Sequence, residues 1–150
     1  MLIGMQIAEA FADITYPGDS DIAGDANHCE ECGECYDFFV GKHWRELASS
    51  AVNLPTNWAG PTFLTAKAKI FFLPAYLIQG LSDFDIADSA VYTLDNLRTL
   101  YEESTASLTR EQCGAILAFI EYHLEQANGY DDASLWRLMN LYDYWKGRAQ

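Results

Sequence analysis

The chain has 150 residues, with 22 acidic side chains against 9 basic ones, and its net charge is −13. Half of the residues are hydrophobic, which is enough to build a core and excludes a disordered chain. The charge argues against a nucleic-acid-binding protein, because phosphate recognition depends on Lys and Arg. The length predicts a single helical domain over residues 1–150.

The negative charge is concentrated in the N-terminal third, residues 1–41. This segment holds 9 acids and no Lys or Arg, whereas residues 42–150 hold 13 acids and 9 bases. The first third therefore carries −9 and the rest −4. We expect its acids to contact a basic protein partner, and the predicted partner-binding residues are Glu30, Glu31, Glu34 and Asp37.

The chain start and the apolar runs predict a cytoplasmic protein. The first residues lack the basic region of a signal peptide and meet Glu9 and Asp13 early. The longest apolar run covers residues 70–78, far short of the ~20 residues that a membrane helix needs. We expect no membrane partner.

Apolar residues recur at helical spacing along most of the chain. The stretch 66–81 is also helical in character, but Pro74 is expected to kink or split it, because proline lacks the amide hydrogen. Thr109 and Gln112 predict a capping box. We predict an all-α fold, an irregular orthogonal bundle of five to six helices. The predicted stripes are Ile3, Ile7, Ala10, Phe11 and Ile14; Ile86, Ala90, Leu94, Leu97 and Tyr101; Cys113, Ile116, Leu117, Ile120 and Leu124; Leu135, Leu138, Met139, Tyr142 and either Trp145 or Lys146.

The densest chemical motif is the segment 28–35. Cys29 and Cys32 are followed by Gly33, as in a metal knuckle, and the predicted metal ligands are His28, Cys29, Cys32 and Cys35. The expected cofactor is one zinc ion. Three thiolates of one straight helix cannot meet on one ion, so this interpretation requires a turn at Gly33. Other residues able to complete the site are His43, Cys113 and His123.

Two other interpretations use the same cysteines. The three thiols can line a helix face as small hydrophobic residues. Alternatively, Cys32 and Cys35 form a Cys-Gly-x-Cys redox pair, although the strand that precedes such pairs in thioredoxin-like proteins is missing. The surrounding acids raise thiol pKa values, which opposes reactivity.

Four groups of residues along the chain follow a recognisable pattern. They are Phe63, Leu64, Thr65, Ala68 and 71–77; Ala10, Phe11 and Pro17; 39–44; Leu108, Thr109, Glu111, Gln112, Ala115 and Ile116. These residues resemble the pattern of a bacterial domain-of-unknown-function family of small acidic helical proteins, and the resemblance covers nearly the whole chain. It implies a helical cytoplasmic protein and no known activity, and relatives often carry a His and Cys-x-x-Cys segment like 28–32. Ala66 departs from the pattern, where we expect proline at the helix start.

The sequence contains none of the common catalytic motifs, so it predicts no catalytic residues. It contains no His-Glu-x-x-His and no Gly-x-Ser-x-Gly, and Gly41-Lys42 lacks the first glycine of a phosphate loop. We therefore expect a non-catalytic interaction module, of inhibitor or immunity-protein type, that docks on a basic partner. The alternative function is a domain with a structural zinc site at the segment 28–35.

Overall fold

The computed structural model describes residues 2–24, 29–56, 60–126 and 130–150. The predicted all-α fold is confirmed, and the eight helices of these ranges exceed the predicted five to six because α3 and α6 have only four residues each. Within these ranges, no helix is both long and apolar enough to cross a membrane. The elements are α1 (Leu2–Ala10), α2 (Glu30–Phe39), α3 (Trp44–Leu47), a 3₁₀ helix (Pro61–Phe63), α4 (Ala66–Gln79), α5 (Phe84–Leu100), α6 (Glu102–Thr105), α7 (Arg110–Glu125) and α8 (Asp132–Ala149).

Helix α4 lies at the centre of the fold. Of its 14 residues 11 are buried, because its sequence is apolar on nearly every side, and α1, α3 and α5 pack on it. The helix starts at Ala66, with the Thr65 hydroxyl as N-cap 3.2 Å from the amide of Ala68. It continues through Pro74, so the proline does not split it.

The acidic N-terminal third is joined to the start of α4. Ile7 and Phe11 are fully buried in the same hydrophobic core as residues of α4, α7 and α8. Further along, the amide of Thr65 donates to the carbonyl of Ile22 at 2.9 Å, and its hydroxyl donates to the carbonyl of Asp21 at 3.0 Å. One residue thus caps α4 and holds the N-terminal segment against it.

Helices α7 and α8 pack along each other. The predicted capping box is confirmed, since Thr109 and Gln112 each accept the other's amide hydrogen. In α8 the prediction was partly wrong. The buried residues are Leu138, Leu141 and Trp145, whereas Met139 is 60% exposed. The fully buried residues form an i, i+3, i+7 row, and the predicted Tyr142 is half-buried against the core beside it.

The turn between α4 and α5 requires glycine. A Cβ on Gly80 would lie 2.7 Å from the Tyr76 carbonyl oxygen and 3.0 Å from the Cα of Ala87. The backbones of the two helices therefore approach each other more closely than any side chain allows.

Candidate functional site

The predicted partner-binding acids lie on α2. Glu30, Glu34 and Asp37 are exposed, and Glu31 is half-buried. Glu30 and Glu31 occupy the first turn, where carboxylates interact favourably with the helix dipole. The first two acids therefore favour the helix, whereas Asp37 in its last turn does not, and three of the four acids face the solvent.

The opposite side of α2 anchors the helix to the core. Cys35 and Phe39 have no solvent exposure, and the Phe39 ring lies 4.7 Å from the ring of Phe72 on α4. This packing determines which way α2 faces. The carboxylates of Glu34 and Asp37 consequently point away from the bundle, as a fixed feature of the surface.

The acids of α2 have no cationic partner in the described ranges. The ion pairs found there join Lys67 to Asp21 at 3.9 Å and Arg98 to Asp95 at 2.8 Å. Neither involves α2. Residues 1–41 contain no Lys or Arg, and the next base in the sequence, Lys42, donates to the carbonyl of Phe38 at the C-terminal end of α2.

Two of the predicted metal ligands lie at the start of α2. Cys29 is the N-cap, and its sulfur accepts the amide hydrogen of Cys32 at 3.2 Å. Both side chains are half-buried. The pKa of the Cys29 thiol is raised, mainly by hydrogen bonding to the Cys32 side chain and with a contribution from Glu31. Glu31 acts through the hydrogen bond that it accepts from the Cys29 thiol at 3.5 Å, rather than through the predicted repulsion of like charges.

The third thiol points elsewhere. Helix α2 continues through Gly33, whose amide donates to the carbonyl of Cys29 at 2.9 Å, so the chain does not turn there. Cys35 is buried, and its thiol donates to the carbonyl of Gly60 at 3.7 Å. His28 lies outside the described residues. Across the residues that are described, no three His, Cys, Asp or Glu side chains are grouped to hold a metal ion.

The other residues considered as metal ligands have structural contacts. His43 caps α3 by accepting the amide hydrogen of Arg45 at 3.1 Å. Cys113 is buried in α7. His123 is also buried, with Nε2 3.0 Å from the carbonyl oxygen of Gly80 and Nδ1 2.8 Å from the Tyr130 hydroxyl. All three belong to the packing of the bundle.

The most unusual buried group is Lys69, which the sequence analysis missed. Its ammonium donates to three backbone carbonyls, those of Pro61 at 2.7 Å, Thr62 at 3.0 Å and Leu64 at 2.9 Å. Burial lowers its pKa from 10.5 to about 8, while the nearby Cys35 opposes the change. Burial raises the pKa of the Cys35 thiol to about 12, against the attraction of Lys69.

Lys69 belongs to a row of donors on α4 that holds the loop before it. Tyr76 donates to the carbonyl of Pro55 at 2.6 Å. The Gln79 amide nitrogen is within hydrogen-bond distance of three carbonyls, at 2.7 to 3.1 Å. The only signal in the sequence is the spacing of these polar residues, at i, i+7 and i+10 in an apolar helix.

A cavity of about 450 Å³ lies between the 3₁₀ helix and α5. Its wall includes Asp88 and the hydroxyls of Ser89 and Thr93. Those hydroxyls already donate, Ser89 to the carbonyl of Thr56 at 3.2 Å and Thr93 to the carbonyl of Ser89 at 2.9 Å. Among the described residues that line the cavity, Asp88 is the one with a charge.

Comparison with known proteins assigns the chain to a family. A model described as "Family of unknown function (DUF6714)" matches residues 3–149. The chain belongs to this family. Neither a curated protein nor a solved structure matches it. The predicted resemblance to a family of unknown function is therefore confirmed, and membership in DUF6714 assigns no activity.

Proposed function

We propose that this DUF6714 protein is a non-catalytic interaction module that docks the acidic face of α2 on a basic partner protein. The acidic face consists of Glu30, Glu31, Glu34 and Asp37. Three of these carboxylates are exposed, and none of the four forms an ion pair within the part of the chain that the structure describes, which is the observation that carries the proposal. An inhibitor or immunity-type protein that covers a cationic surface has this property.

Rigidity supports the proposal. The carboxylates sit on a ten-residue helix whose other side is fixed by Cys35 and Phe39, so docking requires little ordering of the backbone. Charge of one sign speeds the encounter with a partner of the opposite sign and selects against acidic surfaces. Each exposed pair contributes only about 0.2–1 kcal/mol, so several must act together.

The test compares two matched charge reversals. Glu34→Lys with Asp37→Lys changes the acidic face in the second half of α2, where lysine suits the helix dipole. Glu121→Lys with Glu125→Lys changes two exposed acids in the second half of α7. Each double variant raises the net charge from −13 to −9, since each substitution adds two charges. The pair therefore separates position from total charge.

Both variants and the wild type are immobilised and exposed to a lysate of the source cells. We expect a basic protein to be retained by the wild type and the α7 variant, and to bind the α2 variant about tenfold more weakly, a loss of about 1.4 kcal/mol. Equal loss in both variants, or retention of the same proteins by all three, contradicts the proposal. Circular dichroism checks that α2 is still folded.

Zinc binding is the second candidate function, and the half-buried thiols of Cys29 and Cys32 next to His28 in the sequence favour it. A structural zinc ion would contribute folding energy to the N-terminal third. Elemental analysis of protein purified without a His-tag provides the test. About one zinc per chain, with thiols released only by a chelator, supports the site. Four thiols that titrate without a chelator contradict it.

A further inference from the structure

Cys29 and Cys32 meet at the N-terminus of α2. The sulfur of Cys29 lies 3.2 Å from the amide nitrogen of Cys32, and both side chains are half-buried. Cys29 has extended backbone angles, φ −137° and ψ 120°, so it lies outside the helix proper. Its backbone carbonyl accepts the amide hydrogen of Gly33 at 2.9 Å, whereas its side chain can rotate with the loss of only the capping contact to the Cys32 amide.

We propose that Cys29 and Cys32 form a dithiol–disulfide site that exchanges with low-molecular-weight disulfides. A disulfide needs Cβ atoms roughly 4 Å apart, whereas residues three apart inside a regular helix hold theirs at about 5–6 Å. The extended backbone of Cys29 takes this pair out of the regular helical spacing, and the Cys29 sulfur already lies over the first turn, 3.2 Å from the amide nitrogen of Cys32. This site is independent of the basic partner proposed above.

The alternative pair, Cys32 and Cys35, is less able to form a disulfide, because neither residue lies outside the helix and one of them is fully buried. Both residues are inside α2, so their Cβ separation is fixed by the helix. Cys35 is also fully buried, with its thiol donating to the carbonyl of Gly60. An external disulfide therefore cannot reach Cys35 without opening the contact between α2 and the 3₁₀ helix.

The exchange takes place in two steps. The Cys29 thiolate attacks one sulfur of the external disulfide, forms a mixed disulfide with it, and releases the other half as a thiolate. The Cys32 thiolate then attacks the Cys29 sulfur, forms the internal disulfide, and releases the second half. The two protein thiols lose two hydrogens in total, and the external disulfide becomes two thiols.

The neighbouring acids define the chemical class of the oxidant. Glu30 and Glu31 directly follow Cys29, and they repel an anionic disulfide such as oxidised glutathione at low ionic strength. An uncharged disulfide is not repelled. We therefore use hydroxyethyl disulfide as the probe, and we expect it to react several-fold faster than oxidised glutathione at equal concentration.

The full-length reduced protein is incubated with hydroxyethyl disulfide at mildly alkaline pH and examined by mass spectrometry. Digestion after glutamate cuts the chain after Glu30, Glu31 and Glu34, which separates the three cysteines into different peptides. A peptide ending at Glu30 or Glu31 linked to the peptide 32–34 supports the proposal. Linkage of 32–34 to the peptide that begins at Cys35 overturns it.

Three variants make the assignment specific. Cys35→Ser is expected to leave the internal disulfide unchanged, since its hydroxyl can still donate to Gly60. Cys29→Ser and Cys32→Ser are expected to stop at the mixed disulfide on the remaining thiol, with circular dichroism spectra like the wild type. A wild-type protein that also stops at the mixed disulfide overturns the proposal. So does one whose thiols react only after a chelator removes bound zinc.

Discussion

Among the described residues, the ammonium group of Lys69 is held by peptide carbonyls and forms no ion pair with a carboxylate. The three carbonyl oxygens of the segment 61–64 stabilise the charged form, whereas the loss of water destabilises it. Loss of water is the larger effect, because the pKa falls to about 8. At pH 7 the side chain is still protonated, and it fixes the 3₁₀ helix to α4.

We expect Lys69→Met to lower the free energy of unfolding at pH 7 by about 1–3 kcal/mol, because three buried carbonyls lose their donor. Between pH 8 and 10.5 the unfolded chain binds more protons at Lys69 than the folded chain does. The wild type therefore gains stability with rising pH in this range, and the variant does not. In urea titrations from about pH 7 to 9, the free energy of unfolding of the wild type should exceed that of Lys69→Met by a growing amount.

Lys67 provides the matched control. It lies two residues earlier on the same helix, is 75% exposed, and makes one 3.9 Å ion pair with Asp21. Lys67→Met should change the free energy of unfolding by less than about 1 kcal/mol, with no such pH dependence. A difference between the wild type and Lys69→Met that stays constant from pH 7 to 9 would show that Lys69 titrates as an exposed lysine.

His123 on α7 joins the C-cap of α4 to Tyr130, which precedes α8, by its two ring nitrogens. Nε2 faces the carbonyl of Gly80 and therefore carries the hydrogen, and Nδ1 accepts from the Tyr130 hydroxyl. Burial lowers the pKa of this imidazole below its usual 6.5. The folded chain thus resists protonation at a pH where the unfolded chain accepts it, so His123 reduces stability as the pH falls below 6.5.

His123→Gln tests this dependence, because the glutamine amide can still donate to the carbonyl of Gly80. At pH 7 we expect the variant to be less stable by about 1–3 kcal/mol, since the packing on Phe119 is lost. Towards pH 5 the resistance of His123 to protonation lowers the free energy of unfolding of the wild type, and the variant has no such effect. The difference in the free energy of unfolding between the two proteins should therefore narrow. Parallel stability curves from pH 7 to 5 would contradict the lowered pKa. Carboxylates titrate in both proteins and cancel.

At the scale of the helix, α4 combines two roles. Its apolar residues form the centre of the core, and its three buried polar residues, Lys69, Tyr76 and Gln79, all donate to carbonyls of residues 47–64. The backbone carbonyls of a loop that lies against a buried helix are shielded from water, so each needs a hydrogen-bond donor from the protein. The polar row provides these donors, which explains lysine and glutamine in a buried helix.

Gln79→Glu reverses the direction of hydrogen bonding without changing shape. The amide of Gln79 donates to the carbonyls of Leu47, Ser49 and Val52, whereas a carboxylate there would only repel them. We expect the free energy of unfolding to fall by about 3 kcal/mol or more at pH 7, and to recover in part at low pH, where the carboxyl is protonated. Denaturant titrations at pH 7 and at low pH measure the two free energies of unfolding.

Gln112→Glu is the control for the same chemical change. The Gln112 side chain accepts the amide hydrogen of Thr109 at 2.9 Å, and a carboxylate accepts it equally well. It also adds an acid in the first turn of α7, so this variant should be neutral or more stable by a few tenths of a kcal/mol. Similar losses in the two variants would refute the donor role of Gln79.

The helices themselves could be predicted from local pattern. The stripe from Ile86 to Leu97 and the capping box of α7 are short-range features, and both are confirmed. The buried face of α8 was predicted less well, because Leu135 and Met139 fit a helical stripe as well as Leu141 does. Which residues of a wide stripe are covered depends on the neighbouring helix, and the sequence does not specify that neighbour.

The charges of the candidate site could be predicted from the sequence, but the directions in which its side chains point could not. The acids of α2 follow from composition, and their exposure follows once Cys35 and Phe39 are buried. Whether Cys35 faces Cys32 or the core depends on whether the helix continues through Gly33. The carbonyl contacts of Lys69 join residues in a loop and a helix, and no periodicity encodes them.

At the scale of the whole molecule, the net charge of −13 opposes the compact state. Like charges are closer together in the folded chain than in the unfolded one, so screening by salt should stabilise the fold. Raising NaCl from about 0.01 M to about 0.15 M shortens the Debye length from about 30 Å to about 8 Å. We expect the free energy of unfolding to rise by about 1–2 kcal/mol, measured by urea titration at pH 7.

The two charge-reversal proteins show where the repulsion arises. Both have a net charge of −9, but only Glu34→Lys with Asp37→Lys relieves the segment that lacks any base. If repulsion within the acidic N-terminal third is the main destabilising interaction, salt should raise the free energy of unfolding of this variant less than that of the wild type. The rise should also be smaller than in Glu121→Lys with Glu125→Lys. Equal gains in both variants would mean that the repulsion is spread over the whole surface. A wild type that salt does not stabilise would mean that its acids already lie as far apart when folded as when unfolded.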